Sequence, residues 1–374
     1  MRRLRVLEMI DRPFLGGGQI TVFNLAAGLD PESFETAVCS GGGGPLEAEL
    51  RQRGIPHIPF DFPRVPGRGV RKLAAVLEEG RFDIVHTHGG VAGLAGRAAA
   101  HRARIPAVVH TLHGIHYLHY RNPVLKRAMI VLERRCSKST DAVVVVSEAD
   151  RAAARRLRLA PPERIKLIRN GVPTRPEPAA AIKDKLRRDL GLEGGPVVGA
   201  VSRLHRQKGV IHFIGAAARI LRERPDARFV VVGGGPLRKA IEAAIGRAGL
   251  CGKFRLAAER PDARDILSLF DVFVLPSLWE GLPYVLVEAA ALGKPIVVTD
   301  IDGVREVLKD GETGLRVPVA DPEALARAVL RLLDDGDLAA RLGNNARAAI
   351  PKLFSMDRMM EETGALYLEI RGGL

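Results

Sequence analysis

Apolar residues fall along this chain in two rhythms. Short runs of β-branched and aliphatic residues, with little polar interruption, alternate with longer stretches in which alanine and leucine recur at helical spacing. A strand without a polar face is one covered on both sides, and a helix between two such strands supplies the crossover that parallel pairing needs. The pattern therefore predicts parallel βα units. It occurs twice. The first set of predicted strands is "LRVLEM", "ETAVCS", "FDIVHTH", "AVVHTL", "DAVVVVS" and "RIKLIRN"; the second is "PVVGAVS", "RFVVVGG", "KFRLA", "DVFVLPS", "KPIVVTD" and "TGLRVPV". Between them "GVPTRPEP", Gly171 to Pro178, carries three prolines that suit neither a sheet nor a helix interior and mark a linker. The expected class is α/β: two open, doubly wound domains with a cleft where the carboxyl ends of their strands face each other.

Composition agrees with two cores, since 374 residues with 47% hydrophobic content exceed what one ordinary domain buries. No run of about 18 uninterrupted apolar residues suggests a membrane span, and "MRRLRVLEMIDRP" has too short an apolar run for a signal peptide. A cytoplasmic protein is expected. Cys39, Cys136 and Cys251 lie far apart without CxxC spacing, which argues against a disulfide framework or a cysteine zinc site and predicts reduced core thiols. The net charge of +14 is unevenly spread: residues 1–175 hold 28 Lys and Arg against 16 Asp and Glu, the remainder 29 against 27. A basic first half attracts phosphate, whether on nucleic acid, anionic lipid or a small substrate.

Three segments carry phosphate chemistry. In "DRPFLGGGQITVFNLAAGL" a glycine loop enters a helix, where close backbone approach and unpaired N–H groups suit an anion. The loop "VSRLHRQKG" offers Arg203, Arg206 and Lys208, a forked guanidinium and a mobile ammonium suited to a diphosphate, or simply a solvated basic turn. "VVVGGGPLRKAIE" fails the GxGxxG dinucleotide pattern because Arg238 stands where the third glycine belongs. Further on, "PSLWEGLPYVLVEAAALGKP" places Glu280 and Glu288 among apolar residues. Pro283 suits the first turn of a helix closed by Gly293, so Glu280 precedes the helix and Glu288 lies within it. The amides of Leu282 to Val285 can receive phosphate. A carboxylate without donors costs at least about 1–3 kcal/mol, so Glu288 needs either sugar hydroxyls or a basic partner.

Taken together, Glu280 and Glu288 with seven residues between, the "GGGQ" loop, "FDIVHTHGG", "THG" at Thr111 to Gly114, "VVVVSE", "IRNGV", "VSRLHRQKG" and "VVVGGGPLR" resemble, in order, the motifs of EX7E retaining glycosyltransferases of the GT4 family with the GT-B fold. The resemblance runs from Arg5 to about Leu333. It implies an N-terminal Rossmann-like acceptor domain (residues 1–172), a linker and connecting helix (173–195), a C-terminal Rossmann-like nucleotide-sugar domain (196–352) and a last helix (353–374) packing back on the first domain. By position it implies that Gly17, Arg203, Lys208, Leu282 and Pro283 serve the donor diphosphate. Glu280, Gly281 and Leu282 would contact the donor sugar, Glu288 the ribose, and His113 the reacting centre as a catalytic residue with Glu280. The two carboxylates would then be held by ligand hydroxyls. Departures at "NGVP" and at "AAERPDAR", which follows "KFRL", leave the donor base open.

The implied function is retaining transfer of a sugar from a nucleoside-diphosphate sugar to a glycan or lipid-linked acceptor in cell-envelope polysaccharide or lipopolysaccharide synthesis, with no metal and no further cofactor. Front-face attack and a double displacement through Glu280 both remain open as routes. "DID", Asp300 to Asp302, matches a metal-binding DxD but falls inside the EX7E segment. His110, His113, His116 and His119 recur every three residues, yet Gly114 interrupts any single helix that would bring them to zinc; His86 and His88 are expected as strand-end cleft residues. Tyr117 to Lys138 joins aromatic and apolar positions to six basic residues, either a core-packing helix with a basic rim or a helix lying on anionic lipid, which would make the protein peripheral on the inner membrane face. A nucleotide-sugar epimerase of the same fold and a non-catalytic nucleic-acid or anion binder are the alternatives. Nucleic acid is not expected as a partner, because aromatic residues are only 5% and no binding motif is present.

Overall fold

The computed structural model describes residues 2–14, 16–62, 69–173 and 177–372. The chain divides into two units, Met1–Gly171 with Met356–Leu374, and Val172–Ser355. Residues 174–176 of the predicted linker lie outside the described residues.

In the first unit the strands are β1 (Leu4–Ile10), β2 (Phe34–Ser40), β3 (His57–Pro59), β4 (Ile84–His88), β5 (Ala107–Leu112), β6 (Ala142–Val145) and β7 (Ile165–Leu167). They form one parallel sheet in the order β3-β2-β1-β4-β5-β6-β7. Only β3 escaped the sequence pattern; three residues ending in proline carry no periodicity and suit a sheet edge. β4 and β5 are buried throughout, as strands covered on both faces must be. One face of the sheet packs Val6, Ile84 and Val109 against Leu25 and Leu29 and against Met359, Leu366 and Tyr367 of the closing helix Met356–Gly372. The other face packs Leu7, Met9 and Val85 against Leu73, Leu77, Ala92 and Ala99.

The second unit repeats the plan with β8 (Val197–Val201), β9 (Arg228–Val232), β10 (Phe254–Ala257), β11 (Val272–Leu275), β12 (Ile296–Thr299) and β13 (Leu315–Val317). Its parallel order is β10-β9-β8-β11-β12-β13. Phe213, Phe229 and Phe254 form its aromatic centre, with ring centroids 5.3–6.0 Å apart. In both sheets the chain builds outward from the first strand, then returns to that strand's other side. The reversal leaves a crevice at the carboxyl ends of β1 and β4, and again at β8 and β11, where open α/β sheets bind their ligands.

The cysteine expectation is corrected in part: Cys39 is buried, but Cys136 is half-buried and Cys251 exposed, because only Cys39 lies on a strand covered on both faces.

Beside the first sheet, helices Gly90–Arg102 and Pro123–Cys136 share a buried ion pair. Arg97 donates from Nη1 and Nη2 to the two carboxylate oxygens of Glu133 at 2.6 and 3.0 Å, and from Nε to the Gly93 carbonyl at 2.8 Å. Arg97 has no exposure at all. Removing one partner strands the other charge in the interior, which costs more than the pair contributes. Glu133→Ala should therefore lower stability by about 3–5 kcal/mol, seen as a clear drop in melting temperature. The double replacement Arg97→Met with Glu133→Leu should recover most of it, and equal melting of single and double variants would contradict the account.

Candidate active site

At the β8–β11 crevice of the second unit, the loop after β8 carries Arg203, Gln207 and Lys208, and the loop after β11 carries Ser277, Trp279 and Glu280. Backbone bonding locks the two together, with the Leu278 N–H donating to the Gln207 carbonyl at 2.7 Å. Gly209 makes this closeness possible. Its φ of +61° is left-handed, and a side-chain carbon there would fall 2.0 Å from the Pro276 carbonyl oxygen. A similar constraint holds the other flank of Glu280, where a side-chain carbon on Gly303 would meet the Gly281 oxygen at 1.6 Å.

The Glu280 side chain is only 6% exposed, so it needs donors, and the chain itself supplies them. Lys208 Nζ and Ser277 Oγ donate to Oε1 at 2.5 and 2.7 Å, and Gln207 Nε2 donates to Oε2 at 3.2 Å. The idea that ligand hydroxyls hold this carboxylate is thus corrected, since protein donors fill Oε1 and leave one acceptor position on Oε2. Lys208 keeps further N–H capacity, and Arg203, earlier in the same loop, is exposed. Arg206 sits over the Trp279 ring, 5.9 Å from its centroid.

Pro283, expected in the first turn, instead occupies the cap position just before helix Tyr284–Ala291, and no side chain caps the helix. Having no N–H, Pro283 gives phosphate no donor. The first backbone bonds of this turn run from the Leu286 and Val287 N–H groups to the Pro283 carbonyl, so the amides ahead of them have no carbonyl partner within the helix. Glu288 is half-buried within this helix, and Gly281 and Leu282 are buried at its entrance.

In the first unit, helix Gly17–Gly28 starts in the glycine loop without a side-chain cap, and Gly17 is exposed at its first position. The His113 ring lies against this turn: a side-chain carbon on Gly18 would fall 3.3 Å from His113 Cδ2 and 3.2 Å from Ile10 Cδ1. Thr21, one turn further along, donates to Asn170 Oδ1 at 3.2 Å, which ties "IRNGV" to the same helix. The structure thus brings Gly17 and His113 together in one unit, and Lys208 and Glu280 in the other.

Behind His113 runs a buried network that the sequence reading missed. Glu8, on β1 and wholly buried, accepts at Oε2 from His88 at 2.7 Å and at Oε1 from the Tyr367 hydroxyl at 2.6 Å. Tyr367 meets His86 Nδ1 at 2.5 Å, and His86 Nε2 meets Thr111 at 2.7 Å. His88 Nδ1 meets His113 Nε2 at 2.9 Å, with the two rings stacked. His86 and His88 are therefore not open cleft residues, as expected from their strand-end position, but interior groups oriented by Glu8. The signal that was available is Glu8 itself, a carboxylate among the apolar residues that follow Arg5 on β1.

Burial alone would raise the Glu8 pKa, but the charges and hydrogen bonds of His86 and His88 overcome it and hold it far below the ordinary carboxylate range. His88 is pulled down to about 4 by burial first and then by His86, against the opposing pull of Glu8. Burial, with His88 and His86, likewise lowers His113. Glu8, His86 and His88 have the donor set for a metal ion, one carboxylate and two imidazoles with all ligand atoms within 4.8 Å. Among the described residues this is the one such group. Asp300 and Asp302 are engaged by arginine instead, Asp300 with Arg305 and Arg316 and Asp302 with Arg305. Of the four spaced histidines, His110 is buried, His113 half-buried and His116 and His119 exposed, so they do not form one face.

Comparison with known proteins gives the class. Anabaena HepE, solved with UDP and glucose, superposes with a TM-score of 0.87 at 22% identity, over 98% of this chain and 100% of that one. The fold is that of the GT-B glycosyltransferases. Residues 15–175 match the description "Glycosyltransferase Family 4" and residues 182–349 match "Glycosyl transferases group 1". The chain belongs to the GT4-like glycosyltransferases. It is 32% identical to the alpha-D-kanosaminyltransferase of Streptomyces kanamyceticus over 253 residues, 67% of this chain and 64% of that protein, so the match spans just under two thirds of that relative. It is 29% identical to the UDP-Gal:alpha-D-GlcNAc-diphosphoundecaprenol alpha-1,3-galactosyltransferase of Escherichia coli, over 98% of this chain and 97% of that protein.

The histidine network makes acid stability predictable. Between about pH 4 and the ordinary 6.5, unfolded His88 takes up a proton that folded His88 refuses, so stability is complete above 6.5 and falls as the pH drops. Glu8, with its lowered value, adds a loss of the same sign below the ordinary 4.5. From pH 7 to pH 5 His88 alone should remove about 2 kcal/mol. Thermal melting at the two pH values should show the fall in the wild type and a shallower one in His88→Gln; equal slopes would place the acid sensitivity elsewhere.

Proposed function

We propose that this protein is a retaining, metal-independent glycosyltransferase that moves a sugar from a nucleoside-diphosphate sugar to a glycan or lipid-linked acceptor in cell-envelope polysaccharide or lipopolysaccharide synthesis. The observation that carries the reading is the locked pair of loops after β8 and β11, which sets Lys208 against Glu280 and leaves Arg203 exposed on the first of them, in a chain of this family. A leaving nucleoside diphosphate gains negative charge as the glycosidic bond breaks. Cationic groups held in place before the reaction stabilise that state more than the ground state. Arg203 and Lys208 take this role in the second unit, helped by the amide of Leu282, and in the first unit the exposed helix start at Gly17 can receive phosphate. Glu280, with one acceptor position left on Oε2, takes a hydroxyl of the transferred sugar beside Gly281. Glu288 holds the ribose, and His113 stands at the reacting sugar.

Neutralisation by Lys208 and Arg203 makes a metal unnecessary in this scheme. Front-face attack, with the leaving phosphate accepting the acceptor proton, suits Glu280 better than a double displacement, because its Oε1 is already filled by Lys208 and Ser277. UDP-sugars are the first donors to test, since the relative similar along its full length is named for UDP-galactose. The epimerase reading of the same fold predicts conversion of the donor without any acceptor. The nucleic-acid reading predicts duplex binding indifferent to nucleotide sugars.

A peripheral membrane site is the second part of the reading. In helix Pro123–Cys136 only Glu133 is buried. Val124 is 76% exposed, Leu125 and Val131 are also exposed, and Arg121, Arg127, Arg134, Arg135 and Lys138 surround them on the exposed surface. Apolar side chains among arginines suit the boundary of an anionic bilayer. Among the described residues no helix is long and apolar enough to cross a membrane.

Glu280→Gln and Arg203→Ala should each cut turnover by about 100-fold or more while leaving the melting temperature near that of the wild type, and full turnover in either would remove its role. A thermal-shift screen of nucleoside diphosphates should show selective stabilisation by one base. Activity should persist in EDTA and the product should keep the donor's anomeric configuration by NMR; a chelator-sensitive or inverted reaction contradicts the mechanism. Cosedimentation should favour vesicles containing anionic lipid over neutral ones and weaken with Val124→Asp and Leu125→Asp, whereas equal pelleting on both vesicle types removes the membrane site.

A further inference from the structure

The arm of the network that runs from Glu8 to His113 has a single consistent arrangement of protons. An ionised Glu8 only accepts, so the His88 Nε2 atom 2.7 Å from Oε2 must carry a proton. A neutral His88 then has a bare Nδ1, and the His113 Nε2 atom 2.9 Å away must donate to it. A neutral His113 is left with a bare Nδ1, to which no described residue bonds. On the other arm Tyr367 donates to Glu8 Oε1, so its oxygen accepts from His86 Nδ1, and His86 Nε2 is bonded to the Thr111 hydroxyl. Each donor along the Glu8–His88–His113 arm thus has its acceptor, and the His113 Nδ1 lone pair is the acceptor left over.

We propose that Glu8 and His88 are positioning residues that act through His113, locking it as the Nε2–H tautomer with Nδ1 free to accept a hydrogen bond from a substrate hydroxyl. Two features make the lock strong. Glu8 and His88 are wholly buried and His86 nearly so, so water cannot supply a substitute acceptor or donor. The carboxylate also cannot swing away, because Tyr367 of the closing helix holds its other oxygen. The turn at Gly18 closes on the ring's Cδ2 side, so the ring has little room to exchange its nitrogens by flipping. A metal on Glu8, His86 and His88 would require the His88 Nε2 proton to leave, which would break the relay at its first step.

The inference rests on the reading of His113 as a site residue, but its central measurement does not. With histidine labelled by 15N, multiple-bond 1H–15N spectra of the full-length protein at pH 7.5 should show His113 protonated at Nε2 and bare at Nδ1. Glu8→Ala should mix the two tautomers and lower kcat by at least about tenfold, with KM for the nucleotide sugar changed less than about threefold. Glu8→Met, which fills the volume without an acceptor, serves if Glu8→Ala does not fold. Tyr367→Phe should keep the His113 tautomer, because it touches only the other arm. A wild-type His113 protonated at Nδ1, a tautomer unchanged in both Glu8 variants, or stoichiometric zinc in the purified protein by mass spectrometry would each overturn the proposal. Full turnover in His113→Ala would instead overturn the functional reading, while the spectra still decide the relay.

Discussion

A carboxylate taken out of water must be met by donors that the protein itself supplies, and Glu8 forces that requirement on the first unit. Isolated in the interior, it would lose several kcal/mol of solvation. Here His88 and Tyr367 reach it from a neighbouring strand and from the closing helix, and His86 lies alongside. Each donor is then oriented by the bond it makes. One consequence is mechanical: Glu8 and Tyr367 lie 359 positions apart, so the last helix is tied to the first strand by a bond that apolar packing alone could not specify. The other is chemical, because the chain of bonds ends at His113, where the ring meets the glycine turn.

The second unit solves a related problem with a different outcome. Glu280 is nearly as enclosed as Glu8, but its donors include a lysine and stand at the open end of a crevice. An ion pair there is less stabilising than a buried one is damaging when broken, and it is poised to be shared. Lys208 can bind a phosphate oxygen without leaving Glu280, because an ammonium has three donors. The pair, with the backbone bond between the two loops, fixes their positions relative to each other.

Both arrangements follow from the place where each sheet reverses its strand order. At the reversal two loops leave neighbouring strands in opposite directions, and the gap between them exposes the ends of β1 and β4 or of β8 and β11. The glycines of the sequence mark where backbone must come close. Gly209 presses on the Pro276 carbonyl and Gly303 on that of Gly281, and a methyl group at either would push the loops apart. The loops are held by backbone as much as by side chains, which suits a site in which charges must already be in position.

Much of this was legible in the sequence. Twelve of the thirteen strands among the described residues stood out as apolar runs, because a parallel strand covered on both faces has no polar side to disguise it. The glycine loop, the basic loop after β8 and the two glutamates carried, by residue type and order, the expectation of a phosphate and sugar site, and the structure sets Lys208 of the basic loop against Glu280. What the sequence could not express was pairing. Nothing in "LRVLEM" says that its glutamate will meet histidines from another strand and a tyrosine from the last helix. Nor does anything in "PSLWEG" say that Glu280 will be held by Lys208, Gln207 and Ser277 rather than by a ligand. Local composition records which faces avoid water, a property of each segment alone. The partner of a buried charge depends on which segments the fold brings within about 3 Å, and for residues as far apart as Glu8 and Tyr367 that was decided only by the tertiary structure.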